Sequence, residues 1–95
     1  MTATLENRVA IVTGGSGGIG GATAKLLAQN GATVAVVDID FSGSERVVKE
    51  IIAAGGQAKA YKVDLANEDD IKNLVLNVAQ DFEHIDILFN NAGII

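Results

Sequence analysis

Short apolar runs alternate along this chain with longer segments in which apolar side chains recur every three or four positions. Residues 8–13, 33–38, 59–63 and 85–89 are the short, bounded runs, and their content suits strands buried on both faces of a parallel sheet. The segments between them carry the helical period. Ile71, Leu74, Val75, Val78, Ala79 and Phe82 form one stripe at i, i+3, i+4, i+7, i+8 and i+11, and Asn67 followed by Glu68, Asp69 and Asp70 supplies a cap and an acidic first turn. Val47, Val48, Ile51 and Ile52 mark a second helix, opened by the capping box Ser42-x-x-Glu45 and stopped at Gly55-Gly56. Ile19, Ala22, Thr23, Leu26 and Leu27 mark a third, ending at Gly31. The predicted order is βαβαβαβ.

A dense glycine cluster, "GGSGGIGG" at residues 14–21, falls between the first strand and the first helix. Glycine inside regular structure costs about 0.5 to 1 kcal/mol relative to Ala, so such a cluster implies a turn whose backbone must be closely approached. The start of a helix offers unpaired N–H groups and a partial positive charge, which suits a phosphate. Gly15-Ser16-Gly17-Gly18-Ile19-Gly20 reads as G-x-G-x-x-G, and an acid, Asp38, closes the second strand 18 residues after Gly20. A tight turn with close helix packing and no ligand is the plain alternative, and the strand before, the helix after and Asp38 weigh against it. A P-loop is excluded, because no Lys-Ser or Lys-Thr follows the glycines.

Composition removes other classes. The 95 residues, 48% hydrophobic and 20% charged, suit one globular domain. No Cys and a single His leave no thiolate or His-rich metal site, and a net charge of −5 argues against nucleic acid, whose phosphates need a basic face. No apolar run approaches a membrane span, and residues 1–5 lack the features of a signal peptide, so the expected location is the cytoplasm.

Four motifs, in order and register, resemble the short-chain dehydrogenase/reductase family: "TGGSGGIG" at 13–20, Asp38 ending strand two, Asp64-Leu65 ending strand three, and Asn90-Asn91-Ala92-Gly93 ending strand four. The last run separates ordinary members from the extended, epimerase-like branch. The resemblance covers essentially the whole chain and corresponds to the N-terminal, cofactor-binding half of that family's Rossmann-type domain. It implies that Gly14, Ser16, Gly18, Ile19 and Gly20 face the phosphates and ribose of a dinucleotide. Asp64 would meet the adenine ring through its carboxylate and Leu65 through its backbone. Asn91, with Gly93 beside it, would border the cofactor ribose, while Asn90 braces the sheet. An exposed acid ending a strand remains the plain alternative for Asp64, as sheet bracing does for the Asn pair.

Asp38 can also be argued from charge. Its carboxylate accepts hydrogen bonds from the adenosine-ribose hydroxyls, whereas a 2′-phosphate roughly 4 Å away would cost on the order of 4 kcal/mol per charge pair at an effective dielectric near 20. NAD is therefore expected over NADP. Gly17 and Ile39 occupy the two positions where NADP-using relatives usually carry a basic residue, and no compensating cation is evident there.

The family's chemistry implies hydride exchange between nicotinamide and a small alcohol or carbonyl compound, with a Tyr-x-x-x-Lys pair handling the proton. The only Tyr is Tyr61, with Leu65 four residues on, and it reads as a core residue of strand three; His84 reads as a solvated turn residue. The expected catalytic segment lies beyond Ile95, so residues 1–95 are expected to form a dinucleotide-binding half-domain that is catalytically incomplete. Right-handed crossovers predict strand order 3-2-1-4, with the first two helices on one face and the third on the other. Strand four, "IDILF", then lies on an exposed edge beside an under-covered face, and self-association is expected. Two rivals stay open: a stand-alone NAD-binding or assembly module without catalysis, and a methyltransferase-like domain for S-adenosylmethionine, against which the Asn-Asn-Ala-Gly run argues.

Overall fold

A computed structural model describes residues 4–91. Gly93, one of the expected cofactor-side residues, lies outside the described residues. The elements are β1 (Val9–Thr13), α1 (Gly18–Gln29), β2 (Thr33–Asp38), α2 (Phe41–Ala53), β3 (Gln57–Lys62), α3 (Glu68–Phe82) and β4 (Ile87–Asn90). The four strands form one parallel sheet in the order β3-β2-β1-β4, as the crossover rule requires.

Position in the sheet explains the composition of each strand. Every residue of the central strand β1 is buried, and so are Val34, Ala35, Val36 and Val37 of β2. Such strands meet a helix on both faces and carry an unbroken apolar run. By contrast, β3 is an edge strand, in which exposed Gln57, Lys59 and Lys62 alternate with more buried Ala58, Ala60 and Tyr61. It therefore begins at Gln57 and ends at Lys62, shifted from the expected 59–63, and its lysines discourage pairing with another chain. The fourth strand is also shifted, because its pairing with β1 opens at Ala10↔Ile87 and runs through Thr13↔Asn90. Asp86 instead ties the two strands together from just outside the ladder: its Oδ2 accepts from the Val9 N–H at 2.9 Å, and its own N–H donates to the Val9 carbonyl. His84 is not simply solvated. Its Nε2 lies 2.9 Å from the Asn7 carbonyl and 3.0 Å from Asp86 Oδ2.

Two apolar clusters cover the two faces. Val9, Ile11, Ala35, Val37, Tyr61 and Val63 pack against Leu74 and Val78 of α3, while Val12, Val34 and Val36 pack against Ala24 and Ala28 of α1 and Val47 and Ile51 of α2. The helix α1 meets the sheet through small residues, Gly20, Gly21, Ala24 and Ala28, and leaves Leu26 exposed. This differs from the stripe expected around Ile19 and Leu26. Of the large residues in that stripe, Leu27 alone packs against the cluster on this face, from its margin.

The caps differ in one place from expectation. Asn67 Oδ1 accepts from the N–H groups of Asp69 and Asp70 at the start of α3, as expected. The cap of α2 is Asp40, whose Oδ1 accepts from the Gly43 N–H at 3.1 Å, in place of the Ser42-x-x-Glu45 box. Ser44, fully buried in α2, has no hydrogen-bond partner for its hydroxyl among the described residues. Since an unpaired buried hydroxyl costs about 1 to 3 kcal/mol, Ser44→Ala is expected to raise the urea midpoint; a lower midpoint would contradict this.

Tyr61 belongs to the core. Its hydroxyl donates to Asp81 Oδ2 at 2.6 Å in the last turn of α3, and the Lys59 ammonium lies 2.7 Å from the same oxygen. Burial, then the hydrogen bond and the charge of Asp81, push the Tyr61 pKa well above its ordinary value. The unfolded chain therefore ionises first as pH rises. The resulting stabilisation is complete below about pH 10 and is lost above it. Tyr61→Phe is expected to lower the urea midpoint at pH 7 and to flatten its fall between pH 9 and 11. An unaltered alkaline slope would show that the Tyr61–Asp81 pair is not its source.

Candidate functional site

The C-terminal ends of the strands gather the residues singled out above. Gly14 to Gly17 carry the chain from β1 into α1, and the Gly15 N–H donates to the Val37 carbonyl at 3.1 Å, tying the turn to β2. The crest, Gly17, Gly18 and Ile19, is exposed; Ile19 retains 70% of its accessible surface. Gly18 has a left-handed φ of 55°, and a Cβ placed on it would meet nothing within 4 Å. Open space thus lies directly over the start of the helix.

That start is left uncapped. Asp40 and Asn67 cap α2 and α3 with side-chain oxygens, whereas α1 has Gly17 at its N-cap, no side-chain cap and no acidic residue in its first turn. The first N–H groups of a helix have no acceptor within the helix, so those of α1 face the open space above the turn with their partial positive charge uncompensated. This suits an anionic ligand.

Asp38 closes β2 beside the turn. Its Oδ2 accepts from the Ser16 N–H at 3.2 Å and its Oδ1 from the Asp40 N–H at 3.0 Å. Partial burial acts to raise its pKa, but hydrogen bonds from the Ser16 hydroxyl and from the N–H groups of Asp40, Ser16 and Ile39 outweigh it and hold the carboxyl below its ordinary value. Asp38 is consequently an ionised acceptor, fixed in place at the lip of the turn. Ile39, 61% exposed, follows it without a charge. The Asp38 carbonyl accepts from the Val63 N–H at 3.2 Å, which places the end of β3 and exposed Asp64 next to it. Asp64 Oδ1 accepts from the Ala66 N–H at 3.0 Å, its N–H donates to Asp70 Oδ2, and Leu65 packs partly into the α3 cluster.

The other side of the turn is formed by β4. Thr13 donates from Oγ1 to Asn90 Oδ1 at 2.9 Å and accepts from the Asn91 N–H at 3.0 Å, so Asn90 braces the ends of β1 and β4. Asn91 reaches over α1: a Cβ built on Gly20 would lie 3.0 Å from Asn91 Nδ2 and only 2.0 Å from the Gly14 carbonyl oxygen. Gly20 thereby sits against both the Gly14 carbonyl and the Asn91 side chain, with Asp38 on the opposite flank of the turn. Tyr61 is not among them, since its hydroxyl points to the last turn of α3 and its proton is held by Asp81.

Sequence reasoning missed one cation. Arg46 of α2 donates from Nη2 to the Ser16 carbonyl at 2.8 Å, so a guanidinium does border the turn, although neither Gly17 nor Ile39 supplies it. No local sequence signal marks it, since the contact spans 30 residues.

Parallel strands in this order, a glycine turn leading into an uncapped helix and an acid at the end of β2 define a Rossmann-type nucleotide-binding architecture. Residues 8–95 match the family model for short chain dehydrogenase. The chain belongs to the short-chain dehydrogenase/reductase family of oxidoreductases. It is 43% identical over 95 residues, its full length, to a cyclohexanol dehydrogenase of Acinetobacter sp. (strain SE19), of which it spans 38%. Among solved structures it is similar to a metagenomic short-chain oxidoreductase in complex with NADP, with a TM-score of 0.91 and 40% identity over 95% of this chain and 41% of that one. It is also similar to a 7α-hydroxysteroid dehydrogenase complexed with NADH and 7-oxo glycochenodeoxycholic acid, with a TM-score of 0.87 and 37% identity over 88% of this chain and 33% of that one. The chain thus spans a third to two fifths of the length of these relatives, a part of the family domain. Its neighbours bind either NAD-type or NADP-type cofactors. No helix of the described residues is long and apolar enough to cross a membrane.

Proposed function

We propose that this chain is the NAD(H)-binding portion of an oxidoreductase that interconverts an alcohol and a ketone. The observation that carries this reading is the ionised Asp38 carboxylate held against Ser16, beside a helix start with no cap. Gly14, Ser16, Gly18, Ile19 and Gly20 would hold the pyrophosphate and its ribose side, and Asp38 with neighbouring Ile39 the adenosine ribose. Asp64 and Leu65 would border the adenine, and Asn91 with Gly93 the second ribose. When bound, the dinucleotide supplies or accepts hydride at its nicotinamide ring. The residues of this chain would bind and orient it; among the described residues none is placed to exchange the substrate proton, because Tyr61 lacks a Lys four residues on and its hydroxyl is engaged elsewhere. Turnover therefore needs groups that residues 1–95 do not supply.

Titrating the isotope-labelled protein with NADH tests this assignment. Amide shifts concentrated at Gly14 to Gly20, Asp38 and Asp64, and not displaced by S-adenosylmethionine, are expected. Shifts elsewhere, or none at millimolar NADH, would contradict it.

We also infer self-association. On the α3 side, Ile11, Leu65, Ile71, Leu74, Val75 and Leu88 line an open groove of about 310 Å³ next to edge strand β4. Val75 remains 46% exposed and Leu88 66% exposed. Burial of such surface yields about 25 cal/mol per Å², which favours covering it with a second copy. Sedimentation should show an average mass that rises with concentration and falls in Leu88→Lys. A concentration-independent monomer would remove the inference.

A further inference from the structure

The glycine turn has a mechanical problem. A Cβ on Gly17 or Gly18 would meet nothing within 4 Å, so no neighbouring group packs over the crest, which is tied down on its helix side by the Gly21 N–H on the Gly17 carbonyl at 3.1 Å. Ordering flexible backbone when a ligand binds lowers affinity, and glycine has the most freedom to lose. Ser16, the residue just before the crest, is nevertheless held on three sides. Asp38 Oδ2 accepts its N–H at 3.2 Å, and Arg46 Nη2 donates to its carbonyl at 2.8 Å. The third side is Gly43: a Cβ there would come within 2.6 Å of the Ser16 Cβ. Gly43 and Arg46 are three residues apart on α2 and so share one helix face, which is the face laid against the turn. Arg46 has no carboxylate partner within 4.0 Å among the described residues, so its hydrogen bond to the Ser16 carbonyl is not a by-product of a neighbouring ion pair.

We propose that Gly43 and Arg46 form a clamp on Ser16 that fixes the glycine turn before ligand arrives, making Arg46 a positioning residue for the dinucleotide. The proposal rests on the NAD(H)-binding reading given above. Gly43 allows α2 to come close enough for contact, and Arg46 closes the contact with one charge-assisted hydrogen bond. Asp38 completes the clamp from β2, so the residue expected to select the cofactor also helps to shape the turn that receives its phosphates.

Arg46→Ala separates this role from two others. In the free protein, backbone relaxation should show lower order at Ser16, Gly17 and Gly18, with the strands unchanged. The affinity for NADH should fall about five-fold, by the same factor at 0.05 M and 1 M KCl, because a lost hydrogen bond to a backbone carbonyl is not screened. The ratio of NADH to NADPH affinity should stay constant, and Arg46→Lys should recover part of the loss. Unchanged order at residues 16–18 would overturn the clamp. So would an affinity loss that vanishes at 1 M KCl, which would make Arg46 a plain electrostatic attractor. Failure of the parent protein to bind NADH would instead overturn the functional reading, while the relaxation measurement on free protein would still test the clamp.

Discussion

Gly20→Ala is expected to destabilise the protein by about 3 kcal/mol and to abolish dinucleotide binding in whatever fraction remains folded. A Cβ at this position would lie 2.0 Å from the Gly14 carbonyl oxygen and 2.8 Å from its carbonyl carbon, both of them backbone atoms that no side-chain rotation can move. Relief requires α1 to withdraw from the turn. That withdrawal would break the contact with Asn91 and loosen the seat of Gly21, Ala24 and Ala28 on the sheet. Since a small domain has roughly 5 to 15 kcal/mol of stability in all, such a loss is a large part of it. Gly17→Ala is the control, because its Cβ would meet nothing within 4 Å and its φ of −173° is ordinary extended backbone. Urea unfolding reads both. A Gly20→Ala midpoint equal to that of the parent would mean that the turn is far more pliable than its packing indicates.

The contrast between Gly20 and Gly17 also shows what the sequence alone conveys. The spacing of the glycines, with a strand before and a helix after, identified the turn, but six glycines in eight positions look alike until the backbone path shows which ones touch something. Strand order, the faces taken by the three helices and the Asn67 cap were legible, because crossover handedness and capping chemistry are local or general rules. The boundaries of β3 and β4 were less so. Both are edge strands, where pairing register rather than an apolar run decides where the ladder begins.

For α1 the apolar stripe points to the buried face only in part, since Leu27 packs on the core while Ile19 and Leu26 stay exposed. Hydrophobic periodicity favours large side chains, whereas the buried residues of α1 are Gly and Ala. At the site, Asp38 stood out by its distance from the glycines, while Arg46 did not, since nothing in a helix sequence says that one exposed Arg reaches back across 30 residues to a carbonyl. Asp40 and Ser42 are both good capping types, and which of them caps α2 depends on where the strand-to-helix connection ends, which the sequence does not convey.

Cofactor choice is the second large effect. Asp38 is ionised and held by the Ser16 and Asp40 N–H groups, so it cannot swing away from a 2′-phosphate without breaking them. Arg46 spends one guanidinium N–H on the Ser16 carbonyl and forms no ion pair with Asp38, so it does not neutralise the carboxylate. NADH is therefore expected to bind at least about ten-fold more tightly than NADPH, a difference of about 1.4 kcal/mol. The preference resides in the carboxylate charge, so Asp38→Asn should narrow it mainly by improving NADPH binding. Lowering the pH should act in the same direction only below about pH 4, because the folded carboxyl stays ionised down to below its ordinary range.

Calorimetric titration of the parent protein with NADH and then with NADPH tests the central claim most directly, because it asks at once whether the glycine turn binds a dinucleotide and whether Asp38 reads its ribose. Saturable NADH binding with NADPH at least ten-fold weaker is the predicted result. Equal affinities, or no heat of binding from either, would contradict it.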